Sequence, residues 1–239
     1  MRAVILAGGL GTRLGPVCSV IPKPLVPVGG RPIAETILRQ LAGQGFTRAT
    51  FALGHGADMM RAFFGPPKLW GLTVDFVQED EPLGTMGPLN LIHDLPDDFL
   101  VINGDVLSDM DYGNLMTIHR EHINGPMLTV ACFHRHFASE FGVMKTGPFG
   151  RVVEFKEKPK TPLKVSMGAY AMRRSCKVGM PMKGVFGFDN LMALLLKCGH
   201  PVIATRHRGY WKDIGRPEDL VTADSEFHAL FGHLYGRKS

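Results

Sequence analysis

Near the amino terminus an apolar run, Ala3-Val4-Ile5-Leu6, leads directly into Ala7-Gly8-Gly9-Leu10-Gly11-Thr12-Arg13, and Pro22-Lys23-Pro24 follows shortly after. The run predicts a buried strand that ends in a glycine-rich turn. Glycines let backbone N–H groups approach a phosphate chain, because no Cβ stands in the way. Arg13 offers a planar fork of donors and Lys23 a compact point charge, and both suit phosphate oxygens. The segment therefore predicts a site for a phosphorylated ligand at the end of the first strand.

Two common glycine loops do not fit this segment. A P-loop requires Lys-Ser or Lys-Thr directly after its second glycine, and neither pair follows Gly11. The dinucleotide fingerprint requires a small residue at its sixth position, which is Leu14 when the count begins at Gly9. The sequence therefore favours neither a P-loop nucleotide-binding protein nor a nicotinamide-dependent oxidoreductase.

The composition is that of a globular protein, and the distribution of its charge favours small anionic substrates. The chain has 239 residues, 45% of them hydrophobic, and a formal net charge of +5. The excess positive charge is concentrated near Arg135 to Lys160 and Arg206 to Lys212, beside glycines and acids. Because a nucleic-acid surface would show a continuous basic stripe, anionic small substrates explain this charge more simply.

We expect a cytoplasmic protein with no membrane segment. No apolar run approaches the roughly 18 residues that a membrane span needs, and the amino terminus enters a strand at once. The cysteines are far apart in the chain and form no metal-type pair, which predicts reduced thiols at Cys18, Cys132, Cys176 and Cys198. The apolar helix around Phe227 to Phe231 looks exposed and suggests a self-association surface, and hence a homodimer.

Strands and helices alternate along the chain, which predicts an α/β fold with a mostly parallel sheet and helices on both faces. The pattern predicts strands at 3–6, 49–53, 74–77, 100–102, 128–133, 152–156, 165–172 and 202–205. It predicts helices at 32–42, 58–64, 86–93, 112–122, 190–197 and 217–231. Gly147-Pro148-Phe149-Gly150 predicts a small β-hairpin. We interpret the chain as one domain, with a nucleotide half at about 1–125 and an acceptor half at about 126–239.

Two aspartates follow predicted strands. Asp105 comes after an apolar run through Asn103-Gly104, and Asp213 ends the segment Tyr210-Trp211-Lys212. Ligands of open α/β sheets bind outside the carboxyl ends of the strands. Since magnesium takes one or two carboxylates plus phosphate oxygens, Asp105 and Asp213 form a plausible metal pair. A turn or helix-cap aspartate would look the same in isolation.

Two further charged segments admit two interpretations each. Glu79-Asp80-Glu81-Pro82-Leu83-Gly84-Thr85 follows a strand, so an acid there could accept the N–H groups of a base, or the acids could simply be solvated. Glu154-Phe155-Lys156-Glu157-Lys158-Pro159 could form a solvated strand edge. Alternatively, Lys158 binds a sugar phosphate and Glu157 a sugar hydroxyl.

The combination and order of these motifs resemble the sugar-1-phosphate nucleotidyltransferases, also called nucleotide-sugar pyrophosphorylases, and most of all mannose-1-phosphate guanylyltransferase-like members. The resemblance extends over roughly residues 1–224. It implies a Rossmann-like three-layer sandwich with a mixed central sheet. It also implies transfer of a nucleoside monophosphate from an NTP to a sugar 1-phosphate, with magnesium as cofactor and pyrophosphate as the second product.

The resemblance also assigns residues to functions. Arg13, Lys23, Asp105 and Asp213 form the catalytic group, and both aspartates bind magnesium. The nucleotide is bound by Leu6, Ala7, Gly8, Gly9, Gly11, Thr12, Arg13, Lys23, Glu79, Pro82, Gly84, Thr85, Asn103 and Gly104. The sugar phosphate is bound by Gly142, Glu157, Lys158, Ser166 and Gly168. Family members often have Asn-Ala-Gly where this chain has Ser166-Met167-Gly168.

The sequence leaves open which base the nucleotide carries and which sugar the acceptor contains. Glu79 can accept N1–H and N2–H of guanine, which favours GTP, although UTP, dTTP or CTP remain alternatives. Mannose or a heptose are the first candidates by resemblance, followed by glucose or an amino sugar. A non-catalytic, nucleotide-sugar-sensing regulatory subunit with the same fold is the alternative from another class.

Overall fold

The computed structural model describes residues 1–9, 11–15, 18, 20–65 and 68–235. Its strands are β1 Arg2–Ala7, β2 Pro27–Val28, β3 Arg31–Pro32, β4 Arg48–Leu53, β5 Lys68–Leu69, β6 Leu72–Gln78, β7 Asp98–Asn103, β8 Val106–Ser108, β9 Leu128–Ala138, β10 Val143–Thr146, β11 Val152–Lys156, β12 Lys160–Arg173, β13 Val202–Arg206 and β14 Trp211–Asp213. Its helices are α1 Ile33–Gly43, α2 Ala57–Phe64, α3 Tyr112–Glu121, α4 Phe188–Lys197 and α5 Pro217–Phe231.

An eight-stranded sheet forms the centre of the fold, in the order β13-β9-β12-β7-β1-β4-β6-β5. The neighbours β7, β1, β4 and β6 run parallel, and so do β9 and β13. Strand β12 is antiparallel to both β7 and β9, and β5 is antiparallel to β6. The predicted α/β fold with a mostly parallel, mixed sheet is therefore confirmed.

Both faces of the sheet are covered by apolar layers. Alternate residues of β1 point to opposite faces. Ala3 and Ile5 accordingly belong to one core, together with α1, α2, α3 and α5. Val4 belongs to a second core, which contains side chains of α4. A strand buried on both faces reads as a continuous apolar run, which is why β1 was evident from the sequence.

Segment 86–93 does not form the predicted helix. A short 3₁₀ helix, Gly87–Leu91, occupies its place. The Met86 and Gly87 N–H groups both donate to the Phe186 carbonyl, at 2.9 and 3.1 Å. Pro88 has no N–H to donate. These bonds attach the start of the segment to Phe186, and the segment continues with 3₁₀-type bonds from the Leu89 N–H to the Met86 carbonyl at 3.1 Å and from the Ile92 N–H to the Leu89 carbonyl at 3.2 Å.

Strands β9 and β12 are longer than predicted and pair along most of their length, forming an antiparallel ribbon. Strands β10 and β11 form the predicted small hairpin. The hairpin side chains are exposed on both faces, so their pattern carries little burial signal.

The apolar helix α5 is not exposed at Phe227 and Phe231 as predicted, and the homodimer stays a prediction. Phe227 and Phe231 are each 1% exposed and belong to the main core. Asp224 fixes this helix by accepting a 2.7 Å hydrogen bond from the Gly29 N–H. The expectation from sequence was wrong because α5 presents its phenylalanines to the sheet and its polar residues to solvent. Among the described helices, none has the length and apolar character needed to cross a bilayer.

Candidate active site

A cavity of about 640 Å³ opens at the carboxyl ends of β1, β4, β6 and β7. In open α/β sheets this edge is where ligands bind. Many of the predicted nucleotide-binding residues line the cavity: Leu6, Ala7, Gly8, Gly9, Glu79, Pro82, Gly84, Thr85 and Asn103. Asp105 lines it as well. The structure thus brings the first glycine turn, the acidic loop and one catalytic candidate around one space.

Glu79 is held at the wall of this cavity. Its Oε2 accepts a 3.0 Å hydrogen bond from the Leu83 N–H, which fixes the carboxylate. A Cβ on Gly8 would lie 2.6 Å from Glu79 Oε1, so a side chain at this position would force the carboxylate to move. Burial raises the pKa of the Glu79 carboxyl, and the bond from Leu83 partly offsets the rise.

The loop around Gly84 is attached to the segment that precedes α4. Gly84 has φ +78°, a conformation that glycine adopts without strain. A Cβ there would lie 2.8 Å from the Phe186 carbonyl oxygen. The Phe186 N–H donates to the Leu83 carbonyl at 2.8 Å, and the Phe188 N–H donates to Thr85 Oγ1 at 2.9 Å. These bonds hold one wall of the cavity in a fixed position.

Lys23 lies between the two candidate metal ligands. Its ammonium forms an ion pair with Asp105 and lies 3.9 Å from Asp213 Oδ1. Strand β14 pairs with β8 so that Asp213 lies opposite Val106, and the Ile214 N–H donates to the Asp105 carbonyl at 3.0 Å. The structure therefore brings Lys23, Asp105 and Asp213 together, as the sequence predicted.

The charges that act on the Asp213 carboxyl include that of Arg13. Burial raises the pKa of the Asp213 carboxyl, and the negative charge of Asp105 raises it further. The positive charges of Lys23 and Arg13 act in the opposite direction and lower this pKa. Lys23 thus contacts both acids directly, and Arg13 acts on Asp213 through its charge.

Gly168, and Ser166 two residues before it, belong to the part of β12 next to Asn103. Gly168 packs so closely on the Asn103 amide that a Cβ would stand 2.6 Å from Nδ2. The Ser166 hydroxyl donates to the Tyr170 hydroxyl at 3.1 Å. Strand β14 is attached here as well, because Trp211 Nε1 donates to the Met167 carbonyl at 3.0 Å. Gly168 therefore lies beside the cavity-lining Asn103, and the segment 166–168 is bonded to β14, the strand that ends at Asp213.

The other predicted sugar-binding residues lie on the hairpin and its connections. Gly142, Glu157 and Lys158 do not line the cavity described above. A Cβ on Gly142 would lie 2.9 Å from Glu157 Oε2, so these two residues are neighbours. Lys158 is exposed and has φ +44°, which places it in the turn before β12 and not on the strand face shared with Lys156.

Some predicted residues stand beside the cavity. Gly104 donates its N–H to the Leu6 carbonyl at 2.8 Å and thereby joins β7 to β1. Gly11 adjoins Lys23, since a Cβ on this glycine would lie 3.5 Å from the lysine Cβ. The Thr12 side chain and all of Leu10 lie outside the described part of the chain.

Other cavity-lining residues were missed by the sequence interpretation. The cavity is also lined by Ala52, Gly54, His55, Gln78, Asp80, Glu81 and Pro88. Gly54-His55 directly follows the apolar strand β4, just as Gly8-Gly9 follows β1. The same strand-then-glycine pattern would therefore have identified a second turn at this edge.

Comparison with known proteins identifies relatives over nearly the whole chain. The family pattern described as nucleotidyl transferase matches residues 2–229. A mannose-1-phosphate guanylyltransferase from Mycobacterium tuberculosis is 31% identical over 94% of this chain. The mannose-1-phosphate guanyltransferase beta-B of Xenopus laevis is 30% identical over 93% of it. The chain spans 64% and 63%, respectively, of the length of these two relatives.

Solved structures show the same fold. HddC from Yersinia pseudotuberculosis is 28% identical and superposes with a TM-score of 0.73, over 95% of this chain and 99% of HddC. A second structure of HddC, complexed with GMP-PN, gives a TM-score of 0.72 over the same shares of both chains. The match over residues 2–229 shows that this chain belongs to the nucleotidyl transferase family.

Proposed function

We propose that this protein transfers GMP from GTP to a sugar 1-phosphate, giving a GDP-sugar and pyrophosphate. The observation that carries the proposal is the arrangement of Lys23 between Asp105 and Asp213, beside a cavity walled by the glycine turn and the Glu79–Thr85 loop. A cavity with apolar walls and a few convergent polar groups suits one small ligand. Two cations next to it suit the phosphates of that ligand.

The choice of GTP rests on Glu79 and on similarity. The Leu83 N–H holds one carboxylate oxygen of Glu79 and thereby orients the group at the cavity wall. An ionised carboxylate can accept both the N1–H and the N2–H of guanine. The related HddC was solved with GMP-PN, and the Mycobacterium relative is named a guanylyltransferase.

The residues present suit a magnesium ion. Asp105 and Asp213 share the ammonium of Lys23, so both carboxylates reach one positively charged group. Among the described residues, no cluster of three or more His, Cys, Asp or Glu side chains is suited to a metal. Two carboxylates completed by phosphate oxygens are a usual magnesium environment. We therefore propose that Asp105 and Asp213 hold magnesium, which would neutralise and orient the phosphates.

The reaction is an in-line displacement at the α-phosphorus of GTP. An oxygen of the sugar phosphate forms the new bond to phosphorus, while the bond to the β-phosphate oxygen breaks and pyrophosphate leaves. The attacking oxygen is already ionised at neutral pH, so the protein need not supply a general base. Arg13 and Lys23 neutralise the phosphate charges, and the glycine turn allows backbone N–H groups to approach them.

The test is a turnover screen with pyrophosphate release as the readout. GTP, UTP, dTTP, CTP and ATP are each combined with magnesium and a panel of sugar 1-phosphates, including mannose, heptose, glucose and amino-sugar forms. We expect release with GTP and at least one acceptor. Release only with another nucleotide would overturn the choice of base. Nucleotide binding without release for any acceptor would favour a sensing subunit instead.

A further inference from the structure

A group of basic side chains lies on the acceptor side of the fold. We name His134, His136, Lys164, Arg206 and Arg208 the basic cluster. Lys164 of β12 pairs opposite His134 of β9. Because alternate residues of a strand share a face, His134 and His136 lie on the same face of β9. Arg206 pairs opposite Cys132, which has the same parity as the two histidines, so it faces the same way.

The charges around His134 are all positive. Burial lowers the pKa of the His134 imidazole, and the neighbouring charges of Arg206, Lys164, His136 and Arg208 lower it further. The His134 Nε2 atom is buried and has no hydrogen-bond partner among the described residues. A concentration of like charges of this kind is unfavourable unless an anion offsets it.

No described acid neutralises this cluster at close range. The ion pairs within 4.0 Å in this half of the chain join other groups, among them Lys156 with Glu154 at 2.7 Å and Lys212 with Glu226 at 3.8 Å. His207, between two cluster members in sequence, instead contacts Asp109 at 2.8 Å. Among the described residues, then, the lysine and the arginines of the cluster form no ion pair with a carboxylate.

The cluster continues the acceptor side of the candidate site. Ser166 follows Lys164 at the next position on the same face of β12, and it pairs opposite Cys132. Ser166 contacts Tyr170, whose ring stacks on Phe188 with centroids 4.3 Å apart. A ligand bound beside Ser166 therefore has the basic cluster along one side.

We propose that the acceptor is a sugar 1-phosphate with a second anionic group, a phosphate or a carboxylate, which the basic cluster binds. This inference rests on the proposed function. The reacting phosphate already has Arg13, Lys23 and, by resemblance, Lys158 available to it, and a neutral sugar ring needs hydrogen bonds and not cations. Lys164 and Arg206 are suited to a further anion, since charge-assisted hydrogen bonds are the strong ones.

The experiment compares matched acceptors that differ only in the second charge. Mannose 1-phosphate is paired with mannose 1,6-bisphosphate, and glucose 1-phosphate with glucose 1,6-bisphosphate and with glucuronic acid 1-phosphate. Affinities are measured by calorimetry on the full chain, with and without magnesium and a non-hydrolysable GTP analogue. We expect at least one doubly anionic acceptor to bind at least about 10-fold more tightly than its singly charged partner, and the glucuronate arm separates carboxylate from phosphate recognition.

Substitutions then test whether the basic cluster causes the preference for doubly anionic acceptors. In Arg206→Ala and Lys164→Ala we expect the preference to fall below about 3-fold, while affinity for the singly charged acceptors changes little. Lys197→Ala, which removes an exposed cation at the end of α4, is the matched control and should keep the preference. Circular dichroism and melting temperature establish that each variant is folded.

The outcomes separate this inference from the proposed reaction. Equal affinity for all paired acceptors in the unmodified protein would overturn the second anionic group. An equal loss for both members of a pair in Arg206→Ala would assign the cluster to the 1-phosphate instead, and would overturn the inference as well. Absence of pyrophosphate release with every acceptor and nucleotide would contradict the proposed reaction. That outcome is measured in the turnover screen, independently of the affinity ratios.

Discussion

Lys23 and Asp105 are 82 residues apart in the chain and form an ion pair beside the candidate nucleotide cavity. The same ammonium is 3.9 Å from Asp213, which a third segment contributes. A single cation thus connects the loop after β1, the end of β7 and strand β14. The arrangement brings both acids to the edge of the sheet where the glycine turn lies.

We expect Asp105→Asn to lower turnover by at least about 100-fold, because removing one strong electrostatic element from a reactive site has this magnitude. The amide keeps the shape of the side chain but removes the charge that would hold a cation. Pyrophosphate release at saturating substrates is the measurement. Asp58→Asn, at a fully exposed position on α2, is the control and should retain normal turnover. Near-normal turnover in Asp105→Asn would contradict its assignment as a metal ligand.

Lys23→Ala should also lower turnover, since it removes a cation from the neighbourhood of the phosphates. In the absence of ligands it leaves Asp105 and Asp213 without their shared cation, so we expect a lower melting temperature than that of the unmodified protein. Magnesium should restore more of this stability in the variant than it adds to the unmodified protein. Equal stabilisation of both by magnesium would show that the two acids do not bind it together.

Glu79→Gln tests the choice of base. The amide can still accept the Leu83 N–H, but it offers guanine one acceptor and a mismatched N–H₂ group in place of a second oxygen. We expect GTP to give the largest rise in melting temperature among five nucleotides in the unmodified protein, and to lose that advantage in the variant. Glu121→Gln, at an exposed position at the end of α3 and away from the cavity lining, is the control. A variant that keeps its preference for GTP would exclude Glu79 as the discriminating residue.

Lys158→Ala should raise the KM for the sugar 1-phosphate by about 10-fold or more while leaving the KM for GTP nearly unchanged, as expected when one charge-assisted contact is lost. Lys145→Ala, which removes an exposed lysine from β10, should leave both constants unchanged. An effect of Lys158→Ala confined to GTP would show that the two halves of the site are assigned the wrong way round.

The stability of the fold should depend on pH through Asp94. Hydrogen bonds from Arg2 and then Arg48 lower the pKa of the Asp94 carboxyl from 3.8 to about 2. A carboxyl whose pKa is lower in the folded state stabilises the fold above its unfolded pKa, and this contribution disappears as pH falls from about 4 to about 2. Asp94→Asn should therefore melt about 1–3 °C lower at pH 7, a small shift because Asp94 is largely exposed.

Scanning calorimetry from pH 7 to pH 2 measures this difference. The gap between the variant and the unmodified protein should narrow below pH 4. Asp58→Asn again provides the comparison, because within the described part of the chain Asp58 forms a single ion pair, an exposed 3.7 Å contact with Arg61 in the same helix. A gap that stays constant across the range would assign the loss to packing and not to charge.

Much of the fold could be predicted from local patterns. β1, β4 and β7 are buried on both faces, and their apolar runs therefore had few other interpretations. Segment 86–93 was mispredicted because its apolar pattern does not distinguish an α-helix from the 3₁₀ helix Gly87–Leu91 that forms there. The exposure of Phe227 was mispredicted because a pattern of apolar residues does not show which other residues cover them.

Part of the candidate site could also be predicted from local sequence patterns. Glycine turns, prolines and strand-end acids are visible in the sequence, and Lys23, Asp105 and Asp213 were identified in this way. The position of Lys158 in a turn with positive φ was not visible, because no local rule places a lysine there. The basic cluster was apparent only as two separate stretches of positive charge, near residues 135–160 and 206–212.

The residue order was enough to establish the alternation of strands and helices, the glycine turn and the family of the chain, because these depend on neighbours a few positions apart. Tertiary contacts determined that Lys23 meets Asp105 and Asp213, and strand pairing determined that Lys164 and Arg206 lie on one face with His134. The pairing register determines which side chains share a face of the sheet. A shift of one residue would turn Lys164 or Arg206 to the opposite face. The residues of the candidate site were therefore visible in the sequence, but their spatial arrangement required the folded sheet.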